Sequence, residues 1–147
     1  MEFRWICAGD PEWSHTAAYV RACTWRAGAY LADRMENGRF SDWERVLVAR
    51  EQDGIAGFCE VVKEDCIPGL PYTPYISTLF VEESRRGQRL GEALITCAMA
   101  YLKTVGFSTV YLFSDHVGLY EKYGFTAVAR HKAPWGEMQT LYCRDIL

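Results

Sequence analysis

The chain has 147 residues, half of them hydrophobic and 24% charged, with a formal net charge of -3. That length and balance exclude a disordered chain and supply enough apolar residues for one domain, 1–147, with a single sizeable core. The acidic balance speaks against a nucleic-acid partner, which usually meets a basic face, and no apolar run is long enough to suggest a membrane protein.

The predicted elements follow in chain order. Residues 3–7 form a short strand, and the start MEFRWICAGD lacks the basic-then-apolar layout of a signal peptide. Asp10-Pro11-Glu12 reads as a helix start. Ala17, Val20, Trp25, Tyr30 and Leu31 then recur at loosely helical spacing up to Met35, which predicts two short helices ended by Asn37-Gly38. Residues 45–51 and 55–64 are strands joined by a hairpin turn at Gln52-Asp53-Gly54. The segment CIPGLPYTP, 66–74, has three prolines and is an irregular loop.

A strand over 75–81 comes next. After it, Leu90, Leu94, Cys97, Ala98, Tyr101 and Val105 mark one buried helical stripe, closed by Gly106. Residues 109–114 form a strand, VGLYEKY a short helix stopped at Gly124, and 125–130 and 138–144 two last strands around KAPWGE. The order β-α-α-β-β-β-α-β-α-β-β predicts an α/β (α+β) fold, a mixed central sheet of six to seven strands with about four helices.

Six cysteines stand apart from one another, several inside apolar runs, as reduced cysteines do in a cytoplasmic protein. No Cys-x-x-Cys pair occurs, and His15, His116 and His131 are scattered, so neither a disulfide framework nor a metal site is expected.

The segment YISTLFVEESRRGQRLG, 75–91, carries the most chemistry. A strand stops at a charged turn, basic residues and glycines follow, and a long helix begins. Free backbone N–H groups and the positive end of a helix dipole then share one spot, which suits a phosphate.

RRGQRLG after one strand and LYEKYGF after the next together resemble the GNAT superfamily of acetyl-CoA-dependent N-acetyltransferases. The resemblance is close over 76–125; the first half agrees in its order of elements. It implies a sheet splayed at the central strand and a cofactor, acetyl-CoA, used as co-substrate. Arg86, Gly87, Gln88, Arg89, Leu90, Gly91 and Glu92 would form the cradle for its pyrophosphate. Arg89 stands where the family usually has glycine, and a negative φ there would let the loop form. Arg85, Arg86 or Arg89 could add a charged contact to an outer phosphate. Leu79, Phe80 and Val81 would lie along the pantetheine arm, with an amide of Leu79 or Phe80 polarising the thioester carbonyl.

By the same resemblance Tyr120 is the general acid that protonates the leaving thiolate; helix-face packing is the lesser alternative. The strand 75–81 contains no carboxylate. Glu60, between Phe58 and Val62 on one strand face, is the candidate base if burial raises its pKa, and an ordinary exposed strand glutamate fits the pattern as well. His116 could relay a proton or cap the short helix. Trp25, Tyr30, Tyr72, Tyr75 and Trp135 are aromatic candidates for holding the acceptor, a small-molecule or peptide amine.

The resulting expectation is an N-acetyltransferase that moves acetyl to a primary amine by direct attack, in a possible homodimer. A catalytically idle acyl-CoA-binding module on the same fold is the alternative, supported by Arg89 and the missing strand carboxylate. An acetyl-cysteine route ranks lower, since no cysteine lies in 75–81 or 115–120. A nucleotide-binding domain of another kind lacks the P-loop Lys-Ser/Thr and G-x-G-x-x-G patterns.

Overall fold

In the computed structural model, which describes residues 1–23 and 25–147, seven strands form one mixed sheet. They are β1 (Glu2–Ile6), β2 (Arg45–Glu51), β3 (Gly54–Val62), β4 (Tyr75–Val81), β5 (Thr109–Ser114), β6 (Thr126–Lys132) and β7 (Met138–Asp145), in the spatial order β1-β2-β3-β4-β5-β7-β6. Every adjacent pair is antiparallel except β4–β5. The helices are α1 (Trp13–Ala22), α2 (Ala27–Glu36), α3 (Leu90–Val105) and the single-turn α4 (Leu119–Lys122), with a 3-10 turn at Glu83–Arg85. This is the mixed α/β architecture expected from the order of periodic segments.

Two apolar layers enclose the sheet. On one face Leu47, Cys59, Val61, Ile76, Val110 and Leu112 pack against the stripe of α3, with Tyr120 and Phe125 beside them. On the other, Val46, Val48, Phe58, Val62, Tyr75 and Phe80 pack against Val20 of α1 and Leu31 and Met35 of α2. Central β3 is covered on both faces, which is why its sequence runs nearly unbroken in apolar residues. Helix α3 lies close above it at Gly57, where an added Cβ would stand 2.7 Å from the Phe80 carbonyl oxygen and 3.3 Å from Leu94 Cδ1.

Boundaries shift slightly. Glu51 faces Gly54 across the β2–β3 hairpin, so the loop is Gln52-Asp53 alone and Gly54 opens β3. The short helix is confined to Leu119–Lys122, and Val105 at the end of the α3 stripe is 37% exposed. No helix among the described residues is long and apolar enough to cross a membrane.

Two departures from regular sheet geometry matter most. Strands β4 and β5 share one pair, Tyr75 with Tyr111, whose N–H donates to the Pro74 carbonyl at 2.9 Å. Beyond that rung they diverge, and the edge of β4 facing β5 is left without a strand partner: the expected splay. Against β3, β4 is bulged. Phe80 faces Phe58 and Ser77 faces Glu60, so Thr78 and Leu79 together oppose the single residue Cys59. Thr78 takes φ 50°, a left-handed conformation that a β-branched residue rarely adopts.

Candidate active site

The segment between β4 and α3 has the order read from the sequence, with one correction. Gly87 adopts φ 80° and Arg89 adopts φ 60°, so Arg89 is left-handed and not the negative-φ residue expected. It is the residue immediately before α3, its side chain is 88% exposed, and Nη1 lies 4.0 Å from Glu92 Oε1. The other arginines are partly spoken for. Arg85 pairs with Glu51 and, at 3.4 Å, with Asp53, while Arg86 Nε donates to the Val81 carbonyl at 3.1 Å. Helix α3 therefore presents its first amides beside an exposed guanidinium whose salt-bridge partner is Glu92.

Gly91 faces inward. A Cβ on it would stand 3.9 Å from Leu79 Cδ2, from Val81 Cγ2 and from the Tyr123 hydroxyl. The first turn of α3, the end of β4 and α4 thus meet at one point. Glycine leaves the space between these elements clear of a side chain.

Tyr120 lies on this same α3 face, 7% exposed, with its ring against Tyr123 (6.1 Å), Phe125 (6.2 Å) and Tyr142 (5.7 Å). Burial, reinforced by the neighbouring tyrosines and Cys59, pushes its pKa up to about 12, so the phenol remains protonated. Cys59 itself is fully buried, and burial raises its thiol above the usual range, which leaves it a poor nucleophile.

Glu60 occupies the opposite face. It is fully buried, and Arg34 Nη1 and the Thr78 hydroxyl each donate to it at 2.7 Å, to Oε1 and Oε2. Burial pushes its pKa up to about 7, overcoming the downward pull of those two donors. Arg34 comes from α2, lies over the Phe40 ring at 5.0 Å, and is shared with Glu44 at 3.8 Å.

The bulge makes this arrangement possible. In a regular strand Ser77 and Thr78 would point to opposite faces. With Thr78 left-handed, both hydroxyls serve carboxylates of one polar cluster: Thr78 donates to Glu60, and Ser77 donates to Asp65 Oδ1 at 2.8 Å. Beside them Tyr75 is buried, stacked on Phe113 at 5.7 Å, with its hydroxyl unpartnered. Tyr72 packs on Tyr111 at 5.1 Å and His131 at 6.1 Å.

The remaining sequence candidates divide. Trp25 is stacked on Phe80 at 6.0 Å, over the upper half of β4, and Tyr30 borders Arg34 at 5.9 Å. Trp135 is 59% exposed on the β6–β7 hairpin. His116 is exposed; its N–H donates to the Ser114 hydroxyl and its carbonyl accepts from Tyr142, so only its main chain is held. Arg34, Asp65 and Thr78 escaped the sequence reading. The adjacent hydroxyls Ser77-Thr78 in an otherwise apolar strand were the available signal.

The acetyltransferase (GNAT) domain family matches residues 42–127. The fold is similar to that of an aminoglycoside 6'-N-acetyltransferase from Enterococcus faecium, with a TM-score of 0.72 and 19% identity over 100% of this chain and 98% of that one. It is also similar to a GNAT family N-acetyltransferase from Escherichia coli in complex with coenzyme A (TM-score 0.74, 21% identity, 99% and 81% covered). A spermidine N-acetyltransferase variant from Vibrio cholerae follows (0.66, 16%, 99% and 95%). No curated protein sequence matches the chain.

Proposed function

The chain belongs to the GNAT acetyltransferase family, and from that premise we propose that it transfers the acetyl group of acetyl-CoA to a primary amine by direct attack. The observation that carries the reading is the meeting of three elements at Gly91: the open wedge beyond the Tyr75–Tyr111 rung, the start of α3, and Tyr123 at the end of α4. Gly91 leaves room where a side chain would fill the cradle, which fits a pyrophosphate against backbone amides. Similarity to solved enzymes that hold coenzyme A supports the same choice.

Each residue then has a physical task. The α3 amides from Leu90 and Gly91 hold the pyrophosphate, and Arg89 supplies charge at the mouth. The unpaired edge of β4 near Leu79 and Phe80 aligns the pantetheine arm as a neighbouring strand would. Acetyl-CoA supplies the activated acetyl as a thioester.

An alkylamine arrives as ammonium, with pKa around 10. Thr78 accepts one of its protons while passing its own to Glu60, so the enclosed carboxylate acts through the partly exposed hydroxyl. On the other face Tyr120 donates a hydrogen bond to the departing sulfur. With its pKa near 12 against roughly 8.5 for a thiol, Tyr120 stabilises the thiolate better than it surrenders its proton.

Calorimetric titration with acetyl-CoA, wild type against Gly91→Trp, tests the coenzyme site; thiol release with a panel of amines tests transfer. Failure of the folded wild type to bind acetyl-CoA would sink the proposal. The complete enclosure of Glu60 favours a second reading, an acyl-CoA-binding module without turnover. Tight binding with no thiol release from any amine would select it.

A further inference from the structure

The acceptor end of the site, taken as proposed above, can be specified further. On the α1/α2 face carboxylates outnumber cations. Glu60 and Glu44 share Arg34, and Lys63 is turned to Asp42 and the Ser41 hydroxyl. Asp65 is bonded by two neutral donors, the Ser77 hydroxyl and the Cys66 N–H, each at 2.8 Å, and no cation among the described residues lies within ion-pair distance of it. The positive charge that acts on Asp65 through space is that of Arg34, already bonded to Glu60 and shared with Glu44, so this carboxylate has no cation of its own in contact.

Independently, the Tyr75 hydroxyl points to a ligand. The residue is 1% exposed, its oxygen has no hydrogen-bond partner, and burial, with the nearby Asp65 carboxylate adding to it, raises its pKa. Buried hydroxyls are nearly always bonded. The Tyr75 ring is stacked on Phe113 and tilted against Tyr111, on which Tyr72 packs in turn. An ammonium supplies what is lacking here: charge for Asp65, an N–H for Tyr75, and a cation over aromatic faces.

Glu60 and Asp65 are held by neighbouring residues of β4, Thr78 and Ser77, so a short molecule can reach both. We propose that the acceptor is a small molecule with two ammonium groups, one presented to Thr78 and Glu60 for reaction and the other held by Asp65 and the Tyr75 hydroxyl.

The test is equilibrium binding of 1,4-diaminobutane and n-butylamine by calorimetry, with and without saturating coenzyme A, in wild type, Asp65→Asn and Tyr75→Phe. The diamine is expected to bind about tenfold or more tighter than the monoamine, an increment typical of one partly buried charged contact. Asp65→Asn should erase that preference, and Tyr75→Phe should weaken diamine binding several-fold while keeping the fold, read by circular dichroism. Equal affinity for the two amines, absence of binding by either, or a preference that survives Asp65→Asn would overturn the inference. Acetyl-CoA binding and thiol release are measured separately, so an enzyme that acetylates both amines equally retains its proposed function and loses this specificity.

Discussion

The Thr78 hydroxyl donates to Glu60 Oε2 at 2.7 Å across the bulge between β4 and β3. Thr78 is partly exposed and Glu60 fully buried, so this bond is the connection from the wedge to the enclosed carboxylate. Replacing Thr78 with valine removes a donor and leaves a buried acceptor under-satisfied. Thr78→Val is expected to lower stability by about 1–3 kcal/mol, read by urea denaturation. The alkaline shift of the Glu60 titration, seen in a carboxyl-labelled spectrum, should increase, because a bond favouring the charged form is gone.

Glu60 also sets a pH dependence whose sign follows from its raised pKa. Free chains ionise a glutamate near 4.5, whereas the folded protein holds Glu60 protonated up to about 7. Between those values the unfolded state binds fewer protons, so this group lowers stability as pH rises, and the loss is complete above pH 7. Set against Glu60→Gln, wild type should lose up to about 3 kcal/mol over that window, less whatever Asp65 and Glu44 contribute through coupling. If Glu60 receives the amine proton, kcat/KM should climb with pH through 7 in wild type and lose that limb in Glu60→Gln.

Tyr120 offers a cleaner separation of binding from chemistry. Tyr120→Phe keeps the ring among Tyr123, Phe125 and Tyr142 and deletes only the hydroxyl. A fall in kcat of about 10- to 100-fold is expected, with the affinity for acetyl-CoA changed by less than about threefold. An unaltered kcat would reduce Tyr120 to packing.

Arg89 carries two opposed effects. Left-handed backbone is strained for arginine and free for glycine, so Arg89→Gly should raise stability by about 1 kcal/mol, or roughly 3 °C in melting temperature. The same change removes an exposed guanidinium from the cradle, and acetyl-CoA affinity should fall about three- to tenfold, more at low salt than at high. Affinity that is unchanged at low salt would show that the backbone alone holds the phosphates.

Filling the cradle is the most severe change. Gly91→Trp directs an indole at Leu79, Val81 and Tyr123, and acetyl-CoA affinity should drop about a hundredfold or more in a protein that still folds.

Much of the fold could be read before any coordinates, because its elements have strong periodic patterns. The α3 stripe read from Leu90 to Val105, the hairpin turn at Gln52-Asp53-Gly54, and the helix stop at Gly106 are all local signals, and the structure trims them only at Gly54 and Val105. The Thr78 bulge is different. Nothing in YISTLFV announces that a threonine will take positive φ; the reason lies across the sheet, where Cys59 faces two residues. Arg34 likewise reads as an ordinary helix surface arginine until α2 packs over β3 and turns it onto Glu60. Asp65 sits in an irregular loop whose path depends on the strands at both ends. Pattern located the strand, glycine turn and helix of 75–91 and the short helix that carries Tyr120; the polar cluster of Glu60, Asp65 and Thr78 needed long-range pairing.

Two hydrogen-bond ladders, β1 to β4 and β5 to β6, share a single bracket at Tyr75–Tyr111. Helix α3 acts as their common spine, since its layer includes Leu47 and Ile76 from one half and Val110 and Leu112 from the other. The angle between the halves can open without breaking a rung in either, as the covers of a book move about their binding. An occupant of the gap acts as a splint. Unfolding of the two halves should then become more tightly coupled as ligand concentration rises, and melting should sharpen and move upward together.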